Sequence, residues 1–221
     1  MTALMSIILS AVLVGQAGPT PVPGTPDLSG VYQPIPDGMT LTGGLKNSGS
    51  PADVSLQPAA TAKMKETDLK LDPWKLCKPL GPFRMMARPD TKIELVAEPG
   101  MLYILFEDLS HGVMRQVSMS RGHKQLEKPL WFGDSVAAWE GNTLLIDTVG
   151  SNGQSWFNDA GAPQSDALHL IERIKPVLGG RYLEYKMTAE DPKNLAQPYT
   201  YTRYYEKVKT EIAEYACVEE H

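Results

Sequence analysis

Four side chains in the second half of the chain have the chemistry to move protons near neutral pH: His123, Asp147, His169 and Arg173. Histidine gives and takes a proton in that range without special tuning. A carboxylate such as Asp147 orients an imidazole if their strands are neighbours. A guanidinium such as Arg173 can hold a carboxylate or an enolate. His123 follows Arg121 in a polar stretch between two apolar runs, which suits a general base at a barrel mouth. The competing reading of His169 is a histidine satisfied by a buried hydrogen bond. That of His123 is an exposed residue without a role, and that of Glu172 with Arg173 is a structural or rim charge pair. Ser165, His169 and Asp147 make a hydrolytic triad on paper, but no GxSxG turn exposes the serine. Trp131, Trp139 and Trp156 can stack on a flat apolar ligand or simply fill a core.

The elements that must position these groups are strands. Segments 92–97 (KIELVA) and 101–107 (MLYILFE) flank Pro99-Gly100 and read as a hairpin. Further strands are expected over 114–118, 135–139, 143–149, 167–176, 181–189, 198–208 and 212–217, with a first one near Val31-Tyr32. A helix is expected from Pro58 through AATAKMKETDLKL, ended by Asp72-Pro73. Consecutive strands joined by tight turns predict an antiparallel β-barrel of about eight to nine strands with a short N-terminal helix, closure removing the exposed edges. A small barrel can enclose one ligand. In 167–173 the alternation puts His169 and Arg173 on one face and Leu168, Leu170 and Glu172 on the other; which face lines a cavity stays open. Segment 198–208 carries Tyr201 on an aromatic face.

The 221 residues are 42% hydrophobic and 21% charged, enough for one domain with a real core. A net charge of −5 argues against general nucleic-acid binding and against attraction to anionic membranes. Residues 4–14 form an apolar run of signal-peptide length, too short to span a bilayer and followed by small residues. The expected organisation is a signal peptide over 1–17, a Pro-rich linker over 18–26 and one barrel domain over 27–221, in a periplasmic or secreted protein. In such a compartment Cys77 and Cys217 read as a disulfide. The sequence gives no metal-ligand spacing, GxGxxG or P-loop, so no metal, nucleotide or flavin is expected.

The stretches WEGNTLLIDTVG and GAPQSDALHLIER, the later TAEDP and the terminal EYACVEE resemble a large uncharacterised family of signal-peptide-bearing bacterial proteins. Its members read WEGDTLVVDT, GxPHSDALHxxER, TxEDP and a terminal Cys-Glu-Glu-Asn. An upstream CxPxGxPR is matched from Cys77 to Arg84. The resemblance spans roughly residues 77–220 and implies a secreted, lipocalin-like barrel, with no established reaction. It marks Arg115, Arg121, His123, Asp147, Trp156, Ser165, His169, Glu172 and Arg173 among the matching positions. The chain departs from the pattern at 119–124, and at Asn142, Ser151 and Gln164, which fits a specialised ligand.

The expectation is an exported, cofactor-independent enzyme acting on a hydrophobic or aromatic small molecule, by acid–base chemistry in a barrel pocket, as an isomerase, cyclase or lyase. His169, His123, Asp147 and Arg173 would carry the chemistry. Arg115, Arg121, Trp131, Trp156, Ser165, Glu172 and Tyr201 would bind substrate. The alternative is a non-catalytic periplasmic carrier of a similar molecule.

Overall fold

A computed structural model of the chain describes residues 24–107 and 114–213. The expected signal peptide and most of the linker lie outside the described residues. Nine strands are described: β1 (Gly30–Pro34), β2 (Ile93–Glu98), β3 (Met101–Phe106), β4 (Met114–Ser118), β5 (Asp134–Glu140), β6 (Thr143–Val149), β7 (His169–Val177), β8 (Tyr182–Glu190) and β9 (Tyr199–Val208). They close into one barrel, each strand beside the next and β1 against β9. Period-two alternation drives this arrangement. Leu102 and Ile104, Leu144 and Ile146, Leu170 and Ile174, and Tyr185 and Met187 are all buried in one core, while their sequence neighbours face out. The β2–β3 hairpin turns at Pro99-Gly100, where Gly100 takes a φ of +77° that suits glycine.

The barrel is not antiparallel throughout. β4 and β5 pair in parallel, Val117 with Ser135 and Ser118 with Val136. A parallel neighbour needs a crossover, and residues 119–133 provide it. The Asp134 carboxylate accepts hydrogen bonds from Arg121 at 2.6 and 3.0 Å and from the Lys124 backbone at 2.9 Å. Asp134 alternates with the inward Ser135, so these bonds hold the crossover against the outer wall. At the far end of the crossover, a Cβ on Gly133 (φ +64°) would lie 2.5 Å from the Val149 carbonyl.

Helix α1 (Pro58–Glu66) is shorter than the sequence suggests. The Thr67 hydroxyl donates to the Lys63 carbonyl, and the Asp68 carboxylate accepts from the Lys70 backbone. Both side chains compete with the helix ladder and stop it. The expected strand over 212–217 is a second difference: residues 212 and 213 are not in a strand, and 214–217 lie outside the described residues. The expected Cys77–Cys217 bond has one end outside the described residues, and Cys77 itself is disulfide-bonded and not a free thiol. Cys77 is the only cysteine among the described residues, no disulfide joins two of them, and Cys217 lies outside them.

A short helix, α2 (Gly81–Met85), fills part of the barrel. Phe83 is fully buried, with its ring 5.1 Å from those of Phe157 and Tyr201 in edge-on contact. The Tyr201 hydroxyl donates to the Phe83 carbonyl and that of Tyr205 to the Met86 carbonyl, both at 2.7 Å. These bonds satisfy backbone that a helix this short leaves open. Arg84 anchors the segment through a two-pronged contact with Asp72, at 2.8 and 2.7 Å, and a further one with Asp159. Among the described residues no helix is long and apolar enough to cross a membrane.

Candidate functional site

The face of β7 left open by the sequence is settled by burial. Leu170, Glu172 and Ile174 point inward, whereas His169 and Arg173 point outward and are partly exposed. The acid–base residues are therefore on the outer wall, and the expected placement of that chemistry inside the barrel is corrected. On β6 the same alternation buries Ile146 and Thr148 and turns Asp147 outward.

Three of the four expected groups meet there. His169 Nε2 lies 3.0 Å from one Asp147 oxygen, and His123 Nε2 lies 2.8 Å from the other. One carboxylate is thus held between two imidazoles, one from a strand and one from the crossover. The chain of contacts extends both ways. His169 Nδ1 is 3.4 Å from Glu190, its cross-strand partner on β8. His123 Nδ1 is 3.2 Å from Asp134, which is itself gripped by Arg121. About a third of each imidazole side chain is exposed, and 40% of Asp147.

The electrostatics follow from this arrangement. Burial alone disfavours the His169 charge, but the Asp147 carboxylate and then Glu190 outweigh it, so its pKa is raised above 6.5. Burial likewise disfavours ionised Asp147. His169 and then His123 overcome that and hold its pKa below the usual carboxylate value. Hydrogen bonds from Arg121 are the main reason Asp134 falls to about 2; burial opposes them, and the Lys124 amide and His123 add to them.

Arg173 does not join this group. Its guanidinium donates to Glu140 at 2.6 Å, and it sits four residues further along β7, about 13 Å away. Ser165 is no nucleophile for His169: its hydroxyl donates to Asp191 at 2.6 Å and its backbone N–H to the other oxygen of the same carboxylate. Trp131 and Trp156 are half-buried in the loops 119–133 and 150–168. Arg121 serves Asp134, and Tyr201 serves α2.

Arg115 and Glu172, both expected to bind substrate, are locked together inside the barrel. They have essentially no exposure and pair through two bonds of 2.7 and 2.5 Å. Ser135 and Thr148 accept further bonds from Arg115, and the Tyr185 hydroxyl donates to Glu172. Burial, reinforced by the Glu172 charge, pushes the Tyr185 phenol well up, so it remains a neutral donor. Among the described residues every fully buried side-chain nitrogen and oxygen has a partner. The members of this network satisfy one another inside the barrel.

Sequence reasoning missed Asp134 and Glu190 as partners of the histidines. For Glu190 the signal was present, since strand pairing sets it opposite His169. Among the described residues no group of three or more His, Cys, Asp or Glu is placed to hold a metal ion. No family model matches this chain, and no curated protein matches it either.

Proposed function

We propose that the chain is an exported, cofactor-independent acid–base catalyst, of the isomerase, cyclase or lyase type, that works on a hydrophobic or aromatic small molecule. The observation that carries the proposal is the Asp147 carboxylate held between two partly exposed imidazoles. His169 is the proton donor and acceptor. Asp147 fixes its Nε2–H and stabilises the imidazolium. The 3.4 Å contact to Glu190 is the longest in the chain, so a substrate oxygen can take that place and receive the Nδ1 proton. Trp131 and Trp156 offer apolar surface on the loops that carry His123 and lead into His169. Export, and the lipocalin-like character of the barrel, rest on the N-terminal apolar run and on the motif resemblance.

The closed barrel favours a second reading, a carrier with its ligand inside. That reading requires α2 to leave the interior. The test is native mass spectrometry on protein purified from its own host, followed by extraction of any bound small molecule. That molecule is then incubated with wild type and with His169→Ala. The expected result is conversion by wild type and a loss of roughly 10²–10⁴-fold in the variant at unchanged fold. Undiminished conversion by the variant refutes the role of His169. A molecule that is bound and never converted makes the protein a carrier.

A further inference from the structure

Three arginines among the described residues are at least 95% buried: Arg84, Arg115 and Arg203. A buried guanidinium is costly unless a carboxylate neutralises it and its N–H groups are bonded. Arg84 has Asp72 and Arg115 has Glu172, each through a two-pronged contact. Arg203 forms no ion pair with a described residue. Its Nη1 donates to the carbonyls of Gly49 and Thr202, at 2.8 and 3.2 Å, and its cation lies 5.3 Å from the Tyr201 ring centre.

The donors left over define a shape. A guanidinium has five N–H groups. The two bonds to carbonyls are both on Nη1, which leaves Nε–H and Nη2 without a partner among the described residues. That pair forms the side edge of the fork, whose two parallel N–H groups match the two oxygens of a carboxylate. Since no fully buried side-chain nitrogen among the described residues lacks a partner, this edge keeps a sliver of solvent contact.

The surroundings hold Arg203 in place. Segment 46–50 runs beside β9 through paired backbone bonds between Ser48 and Thr202, at 3.0 and 2.8 Å. Gly49, at φ +69°, brings its carbonyl to Arg203 where a Cβ would press within 2.9 Å of the Tyr199 hydroxyl. That hydroxyl accepts from the Ser50 backbone at 2.8 Å and reaches Asp53 at 3.4 Å. The acidic side chain in this neighbourhood is thus directed to a tyrosine, not to the guanidinium.

We infer that Arg203 is the anchor of a binding site for a small organic carboxylate, which seats its two oxygens on the Nε–Nη2 edge beside the Tyr201 ring. The site is separate from the His123–Asp147–His169 group and does not depend on the catalytic role proposed for it. It gives the barrel selectivity for an acid over the matching neutral amide.

Benzoate is the probe and benzamide its neutral control. Binding is followed by NMR on the full chain through the arginine Nε–H signals, with the Arg203 signal assigned by its absence in Arg203→Lys. The expected result is a saturable shift of that signal with benzoate and none with benzamide. Arg203→Gln should weaken benzoate binding roughly tenfold or more, the loss of at least one charge-assisted hydrogen bond. Arg203→Lys keeps the charge and loses the fork, so it should fall between the two. The wild-type titration decides the matter even if the glutamine variant does not fold. An absence of saturable binding, an equal response to benzamide, or affinity in Arg203→Gln within about twofold of wild type overturns the assignment.

Discussion

Replacing Arg115 by methionine should strand a charge inside the barrel. Glu172 has no exposure, and it loses both guanidinium contacts, 2.7 and 2.5 Å long. The hydroxyls of Tyr185 and Thr148 remain, but neither carries a compensating charge. Breaking one side of a buried pair costs about 3–5 kcal/mol. For a domain of this size that is roughly 6–20 °C in Tm. Tyr185→Phe removes one donor and keeps the ion pair, so it should cost less, about 1.5–3 kcal/mol. The double variant Arg115→Met/Glu172→Gln removes both charges and should recover most of the loss of the single one, because the penalty is that of an uncompensated charge and not of a missing attraction. Urea denaturation of the four proteins reads these differences as midpoint shifts. Two results would refute the reasoning: a loss below about 1 kcal/mol for Arg115→Met, or a double variant no more stable than the single one.

The histidine on the outer wall predicts a pH signature. His169 has a folded pKa above 6.5, so its stabilising contribution is complete below that value and is lost as pH rises through the folded pKa. Wild type should therefore exceed His169→Gln in stability by more at about pH 6 than at about pH 8.5, and by no more than about 1 kcal/mol at this exposure; denaturation midpoints giving a gap that grows with pH would contradict the ion-pair assignment. Gly133→Ala should cost about 2 kcal/mol or more in thermal unfolding, since φ is +64° and the new Cβ meets the Val149 carbonyl at 2.5 Å. A change within about 0.5 kcal/mol would mean that the crossover does not lie as described.

Strand positions were legible where one face is buried and the other is not. The hairpin at Pro99-Gly100, the turn at Glu140–Asn142 and the alternation through 169–177 are local signals, and each corresponds to a described element. The inward face of β7 was not legible, because it carries the charged Glu172. Only Arg115, on a strand that is not its neighbour, makes that face acceptable inside the barrel. The parallel pairing of β4 and β5 was hidden for a related reason. A stretch of 15 residues between two strands looks like any loop until Asp134 is seen to hold Arg121 and Lys124. Helix α2 is too short to show periodicity, so its place in the core is decided by tyrosine hydroxyls far away in sequence. The histidine group was half visible: residue types named His123, Asp147 and His169, and geometry added Asp134 and Glu190 while removing Arg173.

The pairing of β1 with β9 sets Val31 against Val208 and Pro34 against Tyr205. The two edges that seal the barrel are therefore supplied by the first and the last of the described strands. A ribosome must release β9 before the seam can form, and until then β1 and β8 each display an open edge. Ring closure is expected as a late event in folding, after the hairpins of the middle strands, because contacts so distant in sequence carry the largest loop entropy. A chain cut short before Tyr199 would expose both edges at once, and association of such fragments through them is the expected fate.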